Sequence, residues 1–176
     1  MLLLRTVAGS RLYGLHNNNS DYDWFEVYSN TGPPRAKQVK QKIVGESDTL
    51  TMNLSTFMLY ADRSAHQTLD AVFSQQCEVN ILQDWCNSYR LHTATFVPLY
   101  KRTLKSFWNM DTLKHKRHAL RLAMQMQTGL EYGRFNPTLD PETAQMLLLA
   151  TEDELEAKLY NLVGEDYYGT DCKEAT

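Results

Sequence analysis

Apolar residues alternate with polar ones, or run together in short β-capable stretches, over the first third of the chain. They then shift to helical spacing. Residues 2–8 are apolar and end at Gly9-Ser10, a natural strand stop. Residues 11–15 predict one helical turn, and His16-Asn17-Asn18-Asn19-Ser20 carries loop chemistry. Residues 21–28, with Tyr22, Trp24, Phe25, Val27 and Tyr28, predict a second strand. The run SNTGPP at 29–34 is a turn, and a third extended region spans about 37–53 with a break near Gly45.

Beyond it, Ser55 is the expected cap of a helix reaching Ala61, and Ser64 the cap of one covering Leu69, Ala71, Val72 and Phe73. Residues 77–95 are ambiguous, with Val79-Asn80-Ile81 read as a short strand. Pro98 is expected in the first turn of a helix reaching Trp108. Residues 111–130 place Leu113, Leu120 and Met124 opposite a charged face and predict the longest helix. Asp140-Pro141 is an N-cap followed by proline at the first helical position. Thr151-Glu152-Asp153-Glu154 fits a capping box, and Gly164 a stop. No internal repeat or low-complexity segment is present. The pattern predicts an α+β fold: a small mixed sheet in residues 1–62, then a mainly helical subdomain in residues 63–176 that closes one side of a cleft.

Composition narrows the class. With 176 residues, 43% apolar and 22% charged, the chain can bury a core, and one domain is expected. No apolar window is long enough to span a membrane, and Met1-Leu2-Leu3-Leu4 meets Arg5 too soon for a signal peptide. Cys77, Cys86 and Cys172 form an odd set without a CxxC pair, which points to a reducing compartment and no structural zinc, hence a cytoplasmic protein. The net charge of −3 conceals asymmetry. Four of the eight residues 35–42 are basic; residues 101–121 hold seven Lys or Arg and two His against Asp111 alone; after Thr151 eight acids face two bases. The basic stretches suit phosphate, and the acidic tail suits solvent.

The chemistry concentrates in GSRLYGLHNNNSDYD, residues 9–23. On a strand, Asp21 and Asp23 are i and i+2 and share a face. Two like charges so close call for a cation, and magnesium, a hard ion that keeps positions open for substrate phosphates, suits them. Gly9 lets a phosphate approach the backbone, and the Ser10 hydroxyl and neighbouring amides can donate to it. A phosphate cradle beside a metal site is the equipment of nucleotidyl transfer. A calcium loop over residues 17–28 is excluded, because Tyr22 and Tyr28 occupy the positions that need glycine and glutamate.

Gly9-Ser10-Arg11-Leu12-Tyr13-Gly14-Leu15 followed by Ser20-Asp21-Tyr22-Asp23 resembles the signature of polymerase-beta superfamily nucleotidyltransferases. The bacterial and phage group associated with RNA repair is the nearest in pattern. Thr68-Leu69-Asp70-Ala71-Val72-Phe73, the KHKRHALRL run with Lys114, His118 and Arg121, and residues 130–139 extend the resemblance. The sequence departs from that group at Glu26, where glycine is usual, and at Ser64-Ala65-His66, where Gly-Asn-Pro is common.

The resemblance implies an enzyme of a bacterium or a phage-infected cell. It would transfer a nucleoside monophosphate from an NTP (such as ATP) or dNTP to a hydroxyl acceptor, an RNA end above all, releasing pyrophosphate with Mg2+ or Mn2+. It implies a third carboxylate beside Asp21 and Asp23; Asp48 is the choice, with Glu46 and Glu26 as rivals. The Glu26 side chain is expected on the opposite strand face. Gly9, Ser10 and Arg11 are expected to bind phosphate. Lys114, His118 and Arg121, at i, i+4 and i+7 on one helix, either line the cleft or form a solvated stripe. Tyr13 and Tyr22 either stack on a base or pack. Transfer to a protein or small-molecule hydroxyl, a nucleotide-binding module that has lost catalysis, and a nucleic-acid-binding module using residues 101–121 remain the alternatives.

Overall fold

The computed structural model describes residues 1–29, 39–45 and 47–164. Most of the turn at 29–34, the bases at 35–38, Glu46, Cys172 and the tail after Gly164 therefore lie outside the described residues.

The chain is mixed α/β. Strands β1 (Leu2–Ala8), β2 (Tyr22–Tyr28), β3 (Lys40–Val44), β4 (Ser47–Asn53) and β5 (Cys77–Asn80) form one sheet in the order β3-β4-β2-β1-β5. The β2–β4 pair is parallel and the other pairs are antiparallel. The short helix α1 (Gly9–Tyr13) lies between β1 and β2, and α2 (Leu54–Asp62) follows β4. Then come α3 (His66–Phe73), α4 (Gln83–Ser88), α5 (Thr93–Trp108), α6 (Leu113–Tyr132), α7 (Pro141–Leu149) and α8 (Glu152–Val163).

Strand alternation sets the layers. Leu4, Phe25, Val27 and Met52 point to one face and join the core with Phe57, Leu69, Phe73, Phe96, Leu104 and Leu120 from the helices. The rings of Phe25 and Phe57 meet at 6.0 Å and fix α2 against β2. Helix α6 comes close to the segment ahead of α5 because residue 129 is glycine: a Cβ there would stand 2.7 Å from Leu91 and 2.8 Å from Phe96.

Caps explain most helix boundaries. Asp140 and Thr151 accept from Thr143 and Glu154 as expected, the latter in a full capping box, and Thr112 caps α6. Three expectations need correcting. The side chain of Asn53, not Ser55, caps α2 by accepting from the Thr56 amide at 2.8 Å. Ser64 does not cap α3; it sits in the left-handed region at φ 61° with its hydroxyl against Thr95, and Ala65 precedes the helix. Pro98 lies inside α5 rather than in its first turn, since the helix already begins at Thr93. Among the described residues no helix is long and apolar enough to cross a membrane, and Cys77 and Cys86 are free thiols.

Candidate active site

A cavity of about 220 Å³ opens where the first residues of β2 and β4 meet α1 and α3, with Gly9, Tyr13, Asp23, Asp48, Gln67 and Asp70 in its wall. Sheet register builds one side of it. Asp23 on β2 and Asp48 on β4 are direct partners in the parallel pair, so their side chains stand on the same face one strand apart. That is the face of Phe25 and Leu50, and the cavity lies on it. Asp48 thus takes the place beside Asp23 that was expected for a further carboxylate. Glu26 points to the other face, held by Arg5 at 3.5 Å and by the Tyr28 hydroxyl at 2.8 Å.

Gly9 is required by contact as well as by conformation. Its φ is +61°, and a Cβ there would stand 1.8 Å from Asp23 Oδ2. The backbone at the start of α1 therefore lies directly against the carboxylate. Helix α1 has no side-chain cap, and the Ser10 hydroxyl has no hydrogen-bond partner among the described residues.

Asp21 stands differently from expectation. β2 begins at Tyr22, so Asp21 lies before the strand, exposed at the rim, and the shared-face argument does not apply to it. It remains near enough to act on Asp23. The Asp23 carboxyl is pushed above the usual range first by burial, then by the charges of Asp48 and Asp21, with Lys114 and Arg11 opposing. Arg11 fastens the rim: its guanidinium donates to the carbonyls of Asp21 (3.1 Å) and Ser20 (2.7 Å) and stacks 3.7 Å over the Tyr22 ring.

The stripe on α6 runs from the mouth into the interior. Lys114 is exposed within electrostatic reach of Asp23. His118 packs edge-on against Tyr13, and burial, aided by Arg121 and Lys114, pushes its pKa down to about 3, so the ring is neutral at pH 7. Arg121 is only 1% exposed. Its guanidinium lies 3.6 Å over the Tyr13 ring and donates to Gln125 (2.9 Å) and Asp70 (3.4 Å). The inner part of the stripe packs behind the cavity wall, with Arg121 committed to Asp70 and Tyr13 rather than presented to the opening.

Asp70, which the sequence offered only as part of an apolar run, is the center of that wall. It accepts from Tyr13 Oη at 2.9 Å, Gln125 Nε2 at 3.2 Å and Arg121, and is 2% exposed. Two signals pointed to it: a lone acid in an apolar helical stretch, and the acidic residue that the resembled group tends to carry there.

Among the described residues no group of three His, Cys, Asp or Glu is close enough to hold a metal ion. The pair Asp23 and Asp48 nonetheless fits an ion that takes one or two carboxylates and completes its shell with water and phosphate oxygens, as magnesium does. Asp48 accepts from Gln41 through Oδ2 (2.5 Å), while its Oδ1 is buried without a partner. No known family profile matches the chain, and no curated protein matches it in sequence.

Proposed function

We propose that this cavity is the active site of a magnesium- or manganese-dependent nucleotidyltransferase of the polymerase-beta type. It would move a nucleoside monophosphate from an NTP or dNTP to a hydroxyl acceptor, with a nucleic-acid end as the preferred acceptor. One observation carries the reading. Two carboxylates stand in register on parallel strands, one with an orphaned buried oxygen, and a glycine backbone presses against the other.

Asp23 and Asp48 would hold the ion, with Asp21 at the rim, and the bound ion supplies charge neutralisation for the triphosphate. On this reading the uncapped amides at the start of α1 and the Ser10 hydroxyl would donate to phosphate oxygens, and Lys114 and Arg11, whose charges reach Asp23, would offset the charge of the triphosphate and the departing pyrophosphate. Asp48 would bind the ion or help to deprotonate the attacking hydroxyl. Arg121 and His118 serve the site from behind: they hold Tyr13, and through it α1, against Asp70.

The test is pyrophosphate release from each NTP and dNTP offered with RNA, DNA or protein, with and without magnesium or manganese. The reading predicts metal-dependent release that falls about 10²–10³-fold in Asp23→Asn. Equal release from the Asp23→Asn, Asp48→Asn double variant overturns it.

A further inference from the structure

The second face of the sheet has a different character. Among the described residues the core takes its sheet side chains from the Phe25 and Val27 face, and Arg5, Trp24, Glu26 and Tyr28 on the other face do not join it. Register lays these residues out in rows: Lys42, Thr49 and Trp24 in one, Lys40, Thr51, Glu26 and Arg5 in the next. Tyr22, Trp24 and Tyr28 share this face of β2, and consecutive same-face positions lie about 7 Å apart. Tyr22 and Tyr28 are 50% and 37% exposed. Arg11 covers Tyr22 at 3.7 Å and Arg5 covers Trp24 at 4.3 Å, so each ring carries a flat guanidinium.

Charge selects the occupant. The acids Glu26 and Glu78 are both drawn onto Arg5, at 3.5 and 3.4 Å. Lys40 and Lys42 are exposed and have no ion pair among the described residues. Aromatic rings and guanidinium planes for bases, flanked by free ammonium groups for phosphates, suit single-stranded nucleic acid.

We propose that this second sheet face binds a single-stranded nucleic acid, with bases stacked at Tyr22 and Trp24 and the backbone over Lys40 and Lys42. The inference rests on the transferase reading only for what the strand does there. Tyr22 is the first residue of β2, so the track ends at the same end of the sheet as Asp23, whose side chain stands on the opposite face; on the transferase reading the terminal hydroxyl of the bound strand would pass around that end of the sheet to reach the cavity.

The experiment measures fluorescence anisotropy of fluorescein-labelled oligouridylate, oligothymidylate and a duplex of equal length, in EDTA and without triphosphate. Both single strands should bind more tightly than the duplex, and the ratio of the two reports any preference for RNA. Trp24→Ala and Tyr22→Ala should each weaken single-strand binding about 5- to 150-fold, the range for loss of one stacked base. Trp24→Phe should restore most of it. Lys40→Glu with Lys42→Glu should flatten the salt dependence by about one unit of slope per lost contact.

An unfolding midpoint for each variant separates lost binding from lost folding, and Tyr22 is exposed enough to be replaced safely should Trp24→Ala fail to fold. Binding untouched by the Tyr22 and lysine changes, lost instead on Lys101→Glu with Arg102→Glu, overturns the proposal, as does preference for the duplex. Binding without pyrophosphate release sinks the transferase reading alone. Release that persists without binding at this face sinks the platform alone.

Discussion

The cavity has carboxylates on two sides, and the two are treated in opposite ways. On the α3 side, Asp70 is buried with a cation, a phenol and an amide around it, so both oxygens are satisfied. On the sheet side, Asp23 and Asp48 are partners with no cation in contact among the described residues; burial and the charges of Asp48 and Asp21 push the Asp23 carboxyl up, and Asp48 keeps an oxygen with no partner. The first arrangement is complete as it stands. The second is a place where the folded chain carries an electrostatic cost that a bound cation would remove. Saturation, rather than the presence of an acid, distinguishes the two walls, and the unsaturated one is where the proposed function puts the ion.

The widest separation between the walls should come from Arg121→Ala. Removing the guanidinium strands Asp70 in the core, and losing one partner of a buried pair costs about 3–5 kcal/mol. Urea or guanidinium unfolding should show a loss of that size; a loss below about 0.5 kcal/mol, as at an ordinary surface site, would erase the distinction. This wall also sets the acid limb of stability. Burial pushes His66 down to about 4 and His118 to about 3, from 6.5. Their folded pKa values lie below the unfolded ones, so the unfolded chain binds more protons across that interval. Stability should fall as pH drops below about 6.5, and His66→Gln should flatten the decline.

Next in size is Asp23→Asn, where the two walls should respond with opposite signs. The Asp23 pKa is raised in the folded state, so ionisation costs stability as pH climbs from the ordinary carboxylate range through the raised value. At neutral pH the asparagine variant should be as stable as the parent or more so. Turnover should drop about 10²–10³-fold, the scale for losing one preorganised electrostatic contact. Thermal melts and pyrophosphate release on the same preparations check both. A variant that is destabilised and still active would make Asp23 a structural residue like Asp70.

Gly9→Ala should follow. The left-handed backbone alone costs a non-glycine residue roughly 1–2 kcal/mol, and the new methyl must displace Asp23 Oδ2. The strain should couple to its neighbour: in an Asp23→Ala background the same change should cost less, by a measurable interaction energy in the double-mutant cycle. Strict additivity would mean that Gly9 and Asp23 are not in contact.

How far the sequence disclosed these walls follows from the range of the forces. Local signals were legible: the strand at 2–8, the strand expected at 21–28 and found from Tyr22, the caps at Asp140 and Thr151, and the stop at Gly164 all depend on neighbours within a few residues. Gly9 and Asp23 were singled out because a Gly-Ser strand end and an Asp-x-Asp pair occur together in the pattern that the resemblance rests on, each being weak alone. Asp48 was chosen from an implied third carboxylate, and only the β2–β4 register shows it opposite Asp23. The Asp70–Arg121 pair was invisible because its members are 51 positions apart and a charge on a helix reads as solvated until the opposing surface is known. Ser64 and Pro98 misled for a related reason: tertiary contacts set those helix starts, overriding residue preference.

The smallest expected effect gives the finest comparison. Gln41 on the edge strand β3 donates to Asp48 Oδ2 at 2.5 Å, the one hydrogen bond that orients this carboxylate among the described residues. The bond is solvent-exposed, so Gln41→Ala should cost about 0.5–1.5 kcal/mol at most. If the sheet-side pair were structural, that loss would appear in the unfolding free energy with no other consequence. If Asp48 works with Asp23 on an ion and a phosphate, stability should barely move, because the freed oxygen is taken up by water. The magnesium concentration for half-maximal rate should rise roughly 2- to 10-fold, the same free energy expressed in metal affinity. Titrating magnesium against pyrophosphate release in parent and Gln41→Ala separates the two. A shifted unfolding curve with an unshifted metal curve would move Asp48 to the structural wall and leave Asp23 without its partner.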